Sequence, residues 1–239
     1  MLITIMPMYV PRIVMVTKAI KMFLPVTIFN IAAILTGLYC LRKGGPVILF
    51  LVLCLVTLAF INEYILVPHS AKWWAIKGNI LYNIYSLIEI TVWFVVYSIL
   101  FHKSIPLIIL TGLIVLTYTA IELHRYSFSE FHIRSYASFS AASLVIALCY
   151  FSKISLRRLH PITRDPVFFI CTALLCFHSV FLINLFTMME TSYWKLSNVV
   201  LVFDVLQIMA TILYYLFICI AFIISCYRYL PQISHRPLY

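Results

Sequence analysis

The sequence predicts an all-α integral membrane protein, a bundle of seven transmembrane helices joined by short loops. Three observations support this: 64% of the 239 residues are hydrophobic, only 10% are charged, and the apolar residues collect in seven long runs. A soluble domain carries roughly a quarter charged residues, so this chain has too few to cover its surface in water. A bilayer accepts that apolar surface, and continuous runs favour helices over a barrel of alternating strands.

An apolar helix needs about 20 residues to cross the hydrocarbon core, and seven runs reach or approach that length. They are residues 23–41, 47–66, 80–101, 105–121, 135–151, 167–188 and 199–227. The fourth and fifth are the shortest and carry the most Ser and Thr, so the count of seven depends most on them. Pro46, Pro106 and Pro166 lie at or near the start of a run, where a missing N–H costs least.

The two ends of the chain fall outside these runs. Residues 1–22 lack the basic start, apolar core and small-residue cleavage site of a signal peptide. We expect this segment to be interfacial, or to precede a true start at Met22. Residues 228–239 are expected to form a short C-terminal tail, and no second domain is predicted.

The chain has 17 Lys and Arg against 7 Asp and Glu, a formal net charge of +10. The cations flank the apolar runs, which indicates anchoring to the lipid bilayer and not binding of nucleic acid. The loops after runs one, three and five and the C-tail together hold nine Lys and Arg, against eight on the other side. The positive-inside rule therefore favours an outside N-terminus and a cytoplasmic C-terminus, in a bacterial inner membrane. A protein partner is predicted at the densest basic cluster: Lys153, Arg157, Arg158 and Arg164.

Polar residues in the runs follow the helical period. At 100° per residue, one face of run three and one face of run seven each gather their polar and aromatic residues within about 80°. Those of run three are Tyr82, Ser86, Glu89, Trp93 and Tyr97, and those of run seven are Asp204, Gln207, Thr211 and Tyr215. Run six adds His178 and Asn184, and run two ends in Asn62, Glu63 and Tyr64.

The depth of these residues is more informative than their number. With alternating crossings, Glu63, Asn83, Asp204 and Gln207 fall in the half nearest the N-terminus, and Glu89 and His178 near mid-depth. An Asp at a helix centre costs about 2.5–3.5 kcal/mol, so an acid there usually has a task. A pocket open to that side is predicted, and its ligand-binding residues are Glu89, Asp204, His178, Asn83, Gln207, Tyr82, Trp93, Tyr215 and Glu63. The alternative is that the Ser, Thr, Asn and Tyr residues only bond helices together and that His178 is a hydrogen-bonded packing residue. Glu89 and Asp204 would then be structural pairing residues, and Glu63 would lie at the membrane interface.

The sequence lacks the residues that several kinds of chemistry require. Every lysine lies outside the deep parts of the runs, so a retinal Schiff base is excluded. There is no nucleophile elbow, His-Glu-x-x-His or phosphate loop, and no catalytic residue, metal or cofactor is predicted. The seven cysteines are read as small buried hydrophobes. Residues 122–132 contain two His and two Glu, but Arg125 and Arg134 oppose a dication, so a solvated loop is expected.

The first functional hypothesis is a receptor or sensor module for an unidentified small molecule or lipid, or the membrane subunit of a larger assembly. The second is a small proton- or cation-coupled transporter that uses the same acids. The third is a lipid-modifying enzyme in which Glu89 or Asp204 and His178 act as acid and base. A scaffold whose polar faces only pair helices is the fourth.

Overall fold

In the computed structural model, all seven predicted runs are helices. The structure describes residues 12–69, 78–101, 105–126, 132–155, 165–191 and 197–234, with side chains within 24–69, 79–101, 105–126, 132–152, 165–186 and 205–227. The helices are α1 (Arg12–Arg42), α2 (Val47–His69), α3 (Gly78–Leu100), α4 (Ile105–Arg125), α5 (Ile133–Ser155), α6 (Pro166–Thr191) and α7 (Ser197–Ser234). Each is long and apolar enough to cross a membrane, which confirms the seven-helix prediction.

The helix boundaries differ most from the predicted runs at the two ends of the chain: α1 begins at Arg12, where residue 23 was predicted, and α7 ends at Ser234, where residue 227 was predicted. α4 extends to Arg125 and α5 begins at Ile133, although the runs were predicted to stop at residue 121 and to start at residue 135. The extension of α4 contains Glu122, whose two carboxylate oxygens accept backbone N–H groups of α5. A hydropathy pattern predicts a loop at such residues, because it does not show whether a polar group is hydrogen-bonded to a neighbouring helix.

The seven helices form a closed ring. Each helix packs against the next in the chain, and α7 packs against α1, while α3 also contacts α5 across the interior. Large apolar side chains project outward, including Leu35, Leu38, Leu110 and Leu116. That outer surface suits lipid and not water, as expected of an integral membrane protein.

The two halves of the bundle differ in polarity. We define the polar half as the half that contains the N-terminal ends of α1, α3, α5 and α7, and the apolar half as the opposite one. In the apolar half, Val52 and Phe222 are fully buried, and Gly37 brings α1 close to both neighbours. A Cβ on Gly37 would lie 2.7 Å from Cδ1 of Leu53 and 3.0 Å from Cε2 of Phe222. The apolar half is therefore tightly closed between α1, α2 and α7.

Candidate functional site

Glu89 of α3 is a buried acid near mid-depth of the bundle, at the inner limit of the polar half. It is only 8% exposed, and its Oε2 accepts a 2.6 Å hydrogen bond from the hydroxyl of Tyr136 in α5. The Tyr85 hydroxyl, one turn earlier on α3, also interacts with this carboxylate. Residues four apart lie on the same helix face, which is why Tyr85 reaches Glu89. The carboxylate therefore lies between α3 and α5, inside the ring.

Glu63 of α2 is a second acid on the same interior surface. It is half-buried and lies close enough to Glu89, Tyr82 and Tyr215 to interact with each electrostatically. Glu63 belongs to a π-helical turn, Asn62–Leu66, within α2. Such turns insert a residue into an α-helix and occur frequently at functional sites. The two acids and their tyrosines thus bring α2, α3, α5 and α7 together.

No cationic side chain compensates Glu89 in the described part of the chain. The Lys and Arg side chains placed by the structure are Arg42, Lys43, Arg125 and Arg134, all at helix ends. The partners of the Glu89 carboxylate are tyrosine hydroxyls, and His178 bonds elsewhere. A buried carboxyl without a counter-charge is either protonated or balanced by a positive charge supplied from outside the chain.

Aromatic rings extend from this acid toward α6 and α7. The ring of Tyr136 lies 4.9 Å from that of Phe181, and Phe177 stacks on Phe181 at 5.7 Å. Tyr214 contacts Phe177 at 5.4 Å and Tyr215 at 5.3 Å. The faces of aromatic rings attract cations, so this group of rings adds to the preference for positive charge.

Four other predicted residues are buried but have structural contacts. Trp93 stacks on Tyr97 with ring centroids 5.6 Å apart. Asn83 accepts a 3.2 Å hydrogen bond from the backbone N–H of His132, which ties α3 to the start of α5. Gln207 is the exception: Thr211 bonds only its backbone carbonyl, at 2.7 Å, and its side-chain Oε1 has no hydrogen-bond partner among the described residues. Tyr82 is buried and in electrostatic range of Glu63.

His178 lies in a packed environment of its own. Its Nδ1 is 3.1 Å from Oγ of Ser140, and the rings of Phe139 and Phe177 each lie 5.3 Å from the imidazole. Its contacts are those of a hydrogen-bonded packing residue, the alternative considered for it from the sequence. The side chains of Asp204 and Lys153 lie outside the described part of the structure, as do residues Arg157, Arg158 and Arg164.

The expectation of a solvated loop at residues 122–132 is wrong for its two ends. Glu122 is 3% exposed, and its Oε1 and Oε2 accept the N–H groups of Arg134 and Ser135, each at 2.8 Å. The carboxylate thus caps the N-terminus of α5, where N–H groups lack partners within the helix. His132 is buried beside Asn83. Within the described ranges, no three His, Cys, Asp or Glu residues converge as metal ligands would.

Tyr85 and Tyr136 are the site residues that sequence reasoning missed. The signal for Tyr85 was its four-residue spacing from Glu89 on a helix. Tyr136 offered no such signal, because its contact depends on how α5 packs against α3. Comparison of the chain with models of known protein families, with curated proteins and with solved structures finds no match.

Proposed function

We propose that this protein is a membrane receptor or sensor module that binds a small cationic molecule inside its polar half. The observation that carries the proposal is Glu89, an interior acid held by tyrosines and without a cationic partner among the described side chains. A ligand cation would compensate this carboxylate, which the described side chains leave without a positive partner. The nearby Glu63 adds a second negative charge to the same interior.

The surrounding rings favour an organic ammonium ion over a hard metal ion. Tyr136, Phe181 and Tyr214 offer ring faces and edges, whereas divalent metals require several oxygen or nitrogen ligands around one point. An ammonium group can donate hydrogen bonds to one carboxylate and place its remaining surface against aromatic faces. The ligand class that suits this site is therefore an amine that is charged at neutral pH.

Cation-coupled transport is the second candidate, because two acids in electrostatic range of each other can also carry a proton or a cation. The packing of the apolar half favours the receptor. Gly37, Leu53 and Phe222 meet there without room for a single added methyl group. Close packing of the apolar half at this point suits ligand detection better than passage through the bundle.

The proposed signal would travel along α5. This helix contains Tyr136 in the polar half and continues at its other end toward the chain segment with the basic cluster, Lys153, Arg157, Arg158 and Arg164. Ligand binding that changes the Tyr136–Glu89 contact would shift α5 and alter the docking of a protein partner at that cluster. We place the cluster on the cytoplasmic face of a bacterial inner membrane, following the distribution of Lys and Arg.

Titration calorimetry of the protein in lipid nanodiscs tests the proposal, with ethylamine and tetramethylammonium as probes. We expect saturable binding of at least one probe, and an affinity at least about tenfold lower in Glu89→Gln. Glu122→Gln is the matched control, since it removes another buried acid of the polar half, one already used as a helix cap. Absence of binding by both probes, or an equal loss in both variants, would overturn the proposal.

A flux measurement separates the two candidate functions. Proteoliposomes loaded with a pH-sensitive dye would acidify or alkalinise on addition of the bound amine if the protein coupled its movement to protons. The receptor proposal predicts no change beyond that of protein-free vesicles. A flux that disappears in Glu89→Gln would instead establish the transporter.

A further inference from the structure

Among the described residues, three buried amide side chains in the polar half have an atom without a hydrogen-bond partner: Asn30, Asn62 and Gln207. The first two lie on adjacent helices. Asn30 of α1 is 0% exposed, and neither its Oδ1 nor its Nδ2 has a partner. Asn62 of α2 is 3% exposed, and its Nδ2 has none. Buried polar groups are nearly always bonded, and an unsatisfied one destabilises the fold by the full cost of its desolvation. Two such amides on adjacent helices therefore call for an absent partner.

The helix register places these two amides at one depth. The Tyr64 side chain of α2 lies near Thr27 of α1, so these two residues are at a similar depth, although the Tyr64 hydroxyl has no hydrogen-bond partner among the described residues. α1 and α2 run in opposite directions. Moving three residues forward along α1 from Thr27 therefore reaches the same depth as moving three residues back along α2 from Tyr64. Asn30 is thus level with residue 61, next to Asn62.

Residues of α7 and the acid of α2, Glu63, lie at a similar depth to the two amides. The side chains of Thr36 and Cys219 interact, and α1 and α7 are parallel, so Asn30 is level with residues near 213. Tyr215 follows within two residues and is in electrostatic range of Glu63. Glu63 is the next residue after Asn62 in the π-helical turn. The unsatisfied amides thus lie beside the acid-lined interior to which the proposed function assigns the ligand.

We propose that Asn30 and Asn62 form the uncharged part of the ligand site, and that the ligand is an amino alcohol. Its ammonium group would face the acids, and its hydroxyl would donate to Oδ1 of Asn30 and accept from the Nδ2 of Asn62. An amide pair offers both donors and acceptors, and a hydroxyl is the smallest group that uses both. The inference rests on the proposed function, and it narrows the amine to one with a neighbouring hydroxyl.

Ethanolamine and ethylamine differ by one hydroxyl and provide the test. Calorimetry on the full chain in nanodiscs should show ethanolamine binding about tenfold more tightly, because the amine without a hydroxyl leaves the buried amides unpaired. Asn30→Leu and Asn62→Leu should each bring the ratio of the two affinities toward one. Asn184→Leu is the control, since it removes a buried amide of α6 outside this pair and should leave the ratio unchanged.

The outcomes separate the two proposals. Equal binding of both amines by the unaltered protein would overturn the inference about the amides and leave the cation site intact. Binding of neither amine would overturn the cation site and with it the amide inference. A hydroxyl preference that persists in both asparagine variants would likewise overturn the role of the amides. The comparison in the unaltered protein needs no variant to fold.

Discussion

The hydroxyl of Tyr136 donates a 2.6 Å hydrogen bond to Oε2 of Glu89, and this bond joins two helices that are not neighbours in the chain order. α4 separates α3 from α5 in sequence, yet α3 and α5 meet across the interior of the ring. The contact gives this buried acid a second donor besides the Tyr85 hydroxyl. It therefore links the stability of the bundle to the chemistry of its candidate site.

Replacing Tyr136 by phenylalanine removes this donor and little else. We expect the free energy of unfolding to fall by about 1–3 kcal/mol, because the Glu89 carboxyl loses its shortest hydrogen bond inside the bundle. Reversible unfolding in bicelles measures the change. Tyr118→Phe is the control, since this tyrosine of α4 is 45% exposed on the outer surface. An equal effect of the two substitutions would show that the Tyr136 bond adds no stability.

Two glycines offer a matched test of the helix packing. An alanine Cβ at Gly37 would lie 2.7 Å from Cδ1 of Leu53, whereas at Gly112 the nearest atom is Cε1 of Phe94 at 3.5 Å. We expect Gly37→Ala to destabilise the bundle by about 1–3 kcal/mol through overpacking. Gly112→Ala should be neutral or slightly stabilising, because alanine favours the helix. The same unfolding experiment decides between them, and similar values for both would contradict the close approach of α1 to α2.

The interior face of α3 could be predicted from the sequence because helical periodicity alone defines it. Tyr82, Glu89, Trp93 and Tyr97 were assigned to one face at 100° per residue, and all four are buried. The convergence of polar residues on one half of the bundle could be predicted in the same way. Successive helices cross the membrane in alternating directions, so a residue's position in its run gives its approximate depth. These properties depend on one helix at a time, and they needed no knowledge of helix neighbours.

The contacts between helices could not be predicted in this way. Tyr136 bonds Glu89 only because α5 packs at a particular height and rotation against α3, which side-chain packing sets and hydropathy does not. For Glu122 the sequence led to a wrong prediction, because a carboxylate close in sequence to His and Arg residues suggests a solvated loop. Its burial became favourable only through two N–H groups of α5 that lie 12 and 13 residues further along the chain.

The cap provided by Glu122 leads to a prediction about stability that is independent of any ligand. Glu122→Ala leaves the N–H groups of Arg134 and Ser135 without acceptors at the start of α5. The free energy of unfolding should fall by about 1–2 kcal/mol, as for other lost helix caps. Arg125→Ala, at an exposed position one turn later, is the control. A Glu122 variant as stable as the Arg125 variant would contradict the capping role.

The closure of the ring can be tested through two cysteines. Cys40 of α1 and Cys226 of α7 are both buried, and their thiols interact. In a variant that keeps only these two cysteines, the membrane-permeant oxidant copper phenanthroline should form a disulfide, detected as one cross-linked peptide by mass spectrometry. A variant that keeps Cys40 and Cys54 is the control, since no interaction pairs Cys54 with Cys40 among the described residues. Cross-linking of the control pair alone would contradict the α1–α7 contact.

The orientation of the bundle should depend on the basic segment after α5. Nine Lys and Arg on the C-terminal side oppose eight on the other, so four cations in one loop decide the balance. We expect green fluorescent protein fused to the C-terminus to fluoresce, because that reporter folds in the cytoplasm, and alkaline phosphatase fused there to be inactive. Changing Arg157 and Arg158 to glutamine should leave seven cations against eight and produce mixed or inverted insertion. An active phosphatase on the unaltered chain would assign the polar half, with Glu89, to the cytoplasmic side, and its ligand would then come from within the cell.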